Sequence, residues 1–573
     1  MNCSSVILPI AGMSCAFGSV SPASPKRNGV VLIVVLVLVV MMSLAGFAFM
    51  NRMATEYEAT LINGDSRQAQ QTLASAETFA IYLAEEYAGV TEPYNPFSGD
   101  PELFSSLTVR EATGDFADIP RGSASRFRRW RFSIVNRLPE STSRAEQYDE
   151  FQEASERPSI RFGLKNESDK LHLGRVMLWD SETPGAGRKA LLQIPGMTPQ
   201  AADSILDWID ADAAPREFGA EQEYYSQLDR PYAPRNGLPE SLEELLFVKG
   251  VTREAFFGNE QTPEFDRPAE SAWNDLLTIH SGEPNTDRYG TDRVDLNEVY
   301  PAEHSNESTE THGKIAFLSD ELVKYILLAR LHGISVLTEA DDVPAALLPA
   351  NAAQPDVSPS GSAISHDESL DLQEISSLTD LLESVVRLPV AEGGVLIRSP
   401  LQVSGTEFLE TMKLLEERVT TDFDRTLIGR ININTASLPV LQALIGNADV
   451  ASRIVQQRRM VESSERSTTA WLLTQQIVDL PTYRRIYPHI TTRGAVHSGE
   501  IVVYRQFGGP FLRRRLIIDA SSLPARRVVW LDLTAHGLPV ATSALRYRNT
   551  EFSDGPAGAS STTNTDDGWS QLD

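Results

Sequence analysis

The chain has 573 residues, of which 41% are hydrophobic, 8% aromatic and 23% charged, which excludes a peptide, a disulfide mini-protein and a wholly disordered chain. Lys and Arg number 51 against 78 Asp and Glu, and a net charge of −27 repels polyphosphate unless basic residues cluster. Both cysteines, Cys3 and Cys15, sit near the N-terminus, so a metal bound elsewhere must use oxygen or histidine ligands.

Val30 to Met50 is an apolar run without a charge, long enough as a helix to cross a hydrocarbon core of about 30 Å. Lys26 and Arg27 precede it and a long acidic chain follows, so the positive-inside bias places the N-terminus in the cytoplasm and the bulk across the membrane. Arg52 follows the run directly, which favours an anchor over a cleaved secretory signal. Helical composition continues to Val90, with Leu73, Ala76, Ala80, Leu83 and Tyr87 forming one stripe. Gly64-Asp65 is an expected interruption, and Pro93, Pro96 and Gly99 are expected to end the helix.

Arg126–Leu138 and Ser159–Leu164 read as strands, as do Glu500–Phe507, Phe511–Asp519 and Arg527–Leu533 near the C-terminus. Between these groups the chain is mostly helical. Lys170-Leu171-His172-Leu173-Gly174, Arg293-Val294-Asp295-Leu296-Asn297 and Arg430-Ile431-Asn432-Ile433-Asn434 resemble one another and read as weak internal repeats. Helix, tight turn, helix units are expected around Gly196, Gly250 and Gly446, with Thr198 and Asn447 starting second helices. Residues 346–367 have the Pro, Ser and Ala composition of a flexible linker, and 549–573 that of a disordered tail.

Such hairpins resemble helix-hairpin-helix and SAM-like modules, many of which bind DNA through backbone N–H groups aimed at phosphate. Asp203, Asp207 and Asp210 on the helix after Pro199 oppose that use; Arg453, Arg458 and Arg459 after Gly446 are the only local support for it. No nucleic-acid partner is expected, and a membrane-anchored periplasmic DNA-binding or interaction protein is the alternative reading. No HExxH, GxxxxGK[ST] or GxSxG occurs, and His172, His280, His312 and His489 lack ligand spacing, so no enzyme activity and no catalytic residue is expected. One constellation fits a hard cation: Asp207, Asp210, Asp212, Glu217, Glu221 and Glu223 supply six carboxylates, the number of oxygens Ca2+ takes at its low end. A solvated acidic loop with capping aspartates is the alternative, and no EF-hand pattern is present.

Lys26-Arg27-Asn28-Gly29 before the apolar run resembles a type IV prepilin leader. The resemblance implies cleavage between Gly29 and Val30 by a prepilin peptidase, with methylation of the new N-terminus. Most pilin-like subunits carry glutamate at the fifth mature position; here it is Val34, as expected of a subunit with no neighbour ahead of it. Together with LLQIPGMTPQAADSILDWIDAD, PYAPRNGLPESLEELLFVKGVT and RININTASLPVLQAL, these features resemble the type II secretion system minor pseudopilin K family.

That resemblance implies an α+β fold: a transmembrane helix continuing into a pilin-like helix, a small antiparallel sheet, and a large inserted helical domain. The corresponding boundaries are a leader at 1–29, the long helix at 30–92, sheet regions at 93–169 and 495–548, and inserted modules at 170–345 and 368–494. It further implies a single-pass inner-membrane protein with a periplasmic C-terminal domain. Its partners would be minor pseudopilins I and J at the tip of a pseudopilus, which it would initiate or cap to export folded proteins. Calcium in the helical domain is also implied.

Overall fold

The computed structural model describes residues 30–90, 97, 100–109, 130–137, 160–258, 272–299, 315–336, 372–388, 395–505 and 508–545. Gly29, residues 346–367 and the tail from 549 lie outside the described residues. The chain divides into two compact units, 1–67 and 68–573.

The helix Val30–Glu86 runs unbroken for 57 residues, so Gly64-Asp65 does not interrupt it and the helix ends before Pro93. One internal glycine costs about 1 kcal/mol, too little to stop propagation through strong helix formers on both sides. In the first unit the side chains from Val31 to Met50 are exposed all round. It is the one helix among the described residues that is long and apolar enough to cross a membrane. In the second unit the same helix buries Ala69, Leu73, Ala76, Ala80, Leu83 and Ala84 in one cluster with Phe132, Ile134, Val502 and Leu516 of a sheet. Alanines on the stripe let the helix backbone approach the strands closely.

That sheet has six antiparallel strands: β1 (Trp130–Arg137), β2 (Ile160–Phe162), β3 (Lys165–Asn166), β15 (Val496–Arg505), β16 (Leu512–Asp519) and β17 (Arg526–Asp532). The order is β17-β16-β15-β1-β2, and β3 pairs with β15 at His497 and Ser498, beyond the end of β1. With β16 pairing from Val496 onward on the other side, β15 starts at Val496 rather than Glu500. Arg126 and its neighbours up to Arg129 fall outside the described residues. Buried Glu500 accepts from Arg513 Nε at 2.7 Å and Arg515 Nη2 at 2.8 Å, a cross-strand cluster that accommodates the Arg-rich sequence of β16.

The described residues between β3 and β15 leave the sheet, and their core is a second, separate hydrophobic cluster. Three junctions of one design organise it. Each begins with a basic residue, then a two-residue strand whose second side chain accepts a hydrogen bond from the N–H two residues on. These strands are β4 (Leu171–His172), β7 (Val294–Asp295) and β13 (Ile431–Asn432), preceded by Lys170, Arg293 and Arg430; the caps are His172 to Gly174, Asp295 to Asn297 and Asn432 to Asn434.

Each of the three pairs in parallel with a later two-residue strand that ends in threonine: β5 (Leu277–Thr278), β11 (Val419–Thr420) and β14 (Ile490–Thr491). Thr278, Thr420 and Thr491 in turn accept from the N–H of His280, Asp422 and Arg493. An antiparallel pair, β6 (Gly282–Pro284) with β12 (Thr426–Ile428), ties the first junction to the later two. A three-stranded sheet of β8 (Ser335–Val336), β9 (Ser384–Leu388) and β10 (Val395–Arg398) lies within the span of the second junction.

Candidate functional site

The acidic constellation lies at the end of the helix Pro199–Ile209. Thr198 starts this helix by accepting from Ala201 N–H at 3.1 Å, with Gly196 in the left-handed region just before it. Asp207 lies in its last turn, fully buried, where the returning loop closes over its carboxylate: Ala220 N–H donates at 2.8 Å and Arg216 N–H at 3.2 Å. A Cβ on Gly219 would lie 1.8 Å from Asp207 Oδ2, so the loop approaches this closely only with glycine there.

Arg216 binds three acids at once: Nη1 donates to Asp207 at 2.7 Å and to Asp210 at 2.5 Å, and Nη2 to Asp180 at 3.0 Å. The guanidinium is held protonated by these carboxylates, against the effect of burial. Asp203 is engaged by Arg188 Nε at 2.7 Å and by Phe218 N–H. Asp203 and Asp207 are therefore structural carboxylates.

Asp210, Asp212 and Glu221 form a different group, with one carboxylate oxygen from each within 4.8 Å of the others. Glu221 is 4% exposed, and neither of its oxygens has a hydrogen-bond partner; Asp210 Oδ1 is likewise without one. Burial, reinforced by Asp207, Asp210 and Asp212, pushes the Glu221 carboxyl up to about 7. A buried carboxylate with two orphaned oxygens beside two others is a donor set suited to a hard divalent cation, which would satisfy the lone pairs and offset the repulsion. Below Glu221, Tyr225 and Trp208 pack edge to face at 5.2 Å, and Trp208 Nε1 donates to Glu244 at 3.0 Å, which fixes the short helix Gln222–Ser226.

Of the six carboxylates singled out in the sequence, the structure brings together Asp210, Asp212 and Glu221. Asp207 is turned toward Arg216 and the backbone of its loop, while Glu217 and Glu223 are exposed and outside the group of three. Two of the three basic residues behind the DNA-binding alternative are spent within the fold, Arg453 on the Ile477 carbonyl and Arg458 on the Ala436 carbonyl at 2.7 Å, while Arg459 is exposed. At the N-terminus, Gly29 lies outside the described residues, Val30 opens the long helix, and Val34 is exposed amid other exposed apolar side chains.

These features define an α+β chain with one apolar helix suited to anchoring it in a membrane, and a helical insert carrying an acidic site. Two family models match it, both described as Type II secretion system (T2SS), protein K, at residues 182–257 and 431–471. The first match contains the whole acidic site, and the second runs from the first strand of the third junction through its helical hairpin. Both matches are to the type II secretion system protein K family, and they support that family, and with it a role in type II secretion, for this chain. No curated protein and no solved structure matches the chain.

Proposed function

We propose that this chain is a non-enzymatic minor pseudopilin at the tip of a type II secretion pseudopilus, where it initiates or caps the fibre. The observation that carries this reading is Val34: a span with no carboxylate has nothing to pair with the N-terminal ammonium of a subunit ahead of it. The large insert between β3 and β15 supports the same position, because so bulky a subunit fits the end of a fibre more readily than its shaft. In this reading the helix and six-stranded sheet are the pilin-like part and the insert is the SAM-like part. A prepilin peptidase cleaves after Gly29 and methylates Val30, the helix stays in the inner membrane with the remainder in the periplasm, and minor pseudopilins I and J are the partners.

Labelling tests the position. Antibody against the insert should mark one end of isolated pseudopili, and cells without the chain should retain their secreted proteins in the periplasm. Label along the whole fibre would overturn the tip assignment.

The acidic group is the proposed calcium site, with Asp210, Asp212 and Glu221 holding the ion and Arg216 fixing Asp210. Calcium should raise the unfolding temperature of the purified protein, and Glu221→Gln should abolish the rise. A rise of equal size in Glu221→Gln would exclude this site.

A further inference from the structure

A small polar cavity of about 50 Å3 lies between the second and third junctions, lined by Arg293, Arg430, Arg493, Glu283, Glu416 and Tyr487 among others. Three guanidiniums face two carboxylates there, and both carboxylates are committed to partners other than Arg293 and Arg493. Glu283 is taken at Oε1 by Arg430 at 3.2 Å and at Oε2 by Thr491 at 2.6 Å. Glu416 accepts from the N–H of Thr469 at 2.9 Å and from its hydroxyl at 2.5 Å.

Comparison of the three junctions shows what Arg293 lacks. In the first, Glu167 bridges the leading base and the closing threonine, accepting from Lys170 at Oε1 at 2.7 Å and from Thr278 at Oε2 at 2.6 Å. In the third, Glu283 bridges Arg430 and Thr491 in the same way. In the second, the bridging residue is a neutral amide: Asn285 Oδ1 accepts from Arg293 at 3.3 Å while its Nδ2 donates to Thr420 at 3.2 Å.

Arg293 makes no salt bridge to a described carboxylate, and its buried Nε has no partner. Arg493, 5% exposed, spends Nη1 on the Thr286 carbonyl at 3.0 Å. Burial, with Arg493 adding repulsion, presses Arg293 down to about 9, the direction expected of a cation without its counter-charge.

We propose that this cavity binds one small inorganic monoanion, a halide, between Arg293 and Arg493, beside the neutral Asn285 bridge, where it supplies the negative charge that the bridging carboxylate supplies at the other two junctions. One negative charge neutralises three guanidiniums and two carboxylates, and the volume admits only a few water-sized particles. A sulfate or phosphate brings more charge than the cavity lacks. The ion ties the second junction to the third and so is a structural cofactor of the insert.

The test uses the full-length protein in detergent at fixed ionic strength. Exchanging isethionate for chloride or bromide should raise the unfolding midpoint by a few degrees in the unaltered protein and leave Arg293→Gln unmoved. Chloride-35 NMR on the unaltered protein supplies a reading that does not depend on a variant folding: the line should broaden in its presence, and bromide should reverse the broadening. Equal midpoints in isethionate and chloride, an equal shift in Arg293→Gln, or an unbroadened chloride line would each overturn the proposal.

Discussion

At the first junction Glu167, 1% exposed, is bonded to Lys170 and Thr278; at the second, Asn285 stands between Arg293 and Thr420. The two-residue parallel pairs, the caps and the closing threonines are alike, so the backbone design tolerates either a charged or a neutral bridge. What changes is which partner is indispensable. Burial works against the Glu167 carboxylate, yet Lys170 and the hydroxyls of Ser498 and Thr278 hold it down to about 2, so the first junction carries its own counter-charge. The second carries a cation in excess. A repeated frame thus separates the cost of an unpaired buried charge from the cost of the fold that holds it.

Removing the base should give the largest contrast. Lys170→Met leaves Glu167 ionised and unpaired in the interior, and should cost about 3–5 kcal/mol in chemical unfolding. Arg293→Met removes a cation that has no carboxylate, and in halide-free buffer should change stability by less than about 1 kcal/mol. Similar losses in both would mean that the two junctions do not differ in charge compensation.

The cap residues give the next effect. His172 Nδ1 accepts from Gly174 N–H at 3.1 Å, so the ring is neutral, and burial holds it down to about 4 from an ordinary 6.5. Because the folded value lies below the unfolded one, the unfolded chain binds the extra proton. The stability is fully present above about pH 6.5 and is lost as pH falls toward 4, by about 3 kcal/mol at roughly 1.4 kcal/mol per unit. His172→Asn, which installs the residue found at the third junction, should flatten the profile in that window by one proton. An unchanged slope would show that His172 is not the group titrating.

The threonines give the smallest differences. Thr278→Val removes a hydrogen bond to a buried carboxylate and should cost about 1.5–3 kcal/mol, whereas Thr420→Val removes one to a neutral amide and should cost about 0.5–1.5 kcal/mol. Reversal of that order would contradict the equivalence of the junctions.

Half of this frame is legible in the sequence. Lys170, Arg293 and Arg430 each open a basic, apolar, polar, apolar pattern, and their similarity is visible without a structure. The closing threonines are not, because a two-residue strand has no periodicity and its partner lies from 59 to 125 residues away along the chain. Helix starts at Thr198 and Asn447 are legible because a side-chain cap is a local interaction: Asn447 accepts from Asp449 and Val450 N–H.

The acidic site is legible as a cluster but not as a ligand set. Asp207 and Asp210 are three residues apart in sequence, yet Asp207 is enclosed by its own loop and by Arg216, while Glu221 is brought to Asp210 by that loop's return. Sequence spacing does not reveal that Arg216 occupies one carboxylate fully and leaves Asp210 Oδ1 free. Gly64 misled for a related reason, since the cost of one glycine is small beside a long run of helix formers.

The central claim is that this chain is processed and assembled as a pseudopilin, and the mass of the N-terminal peptide of protein purified from membranes tests it most directly. The account predicts a chain that begins at Val30 and is heavier by one methyl group. A chain that retains Gly29 would contradict prepilin processing and, with it, the place at the fibre tip.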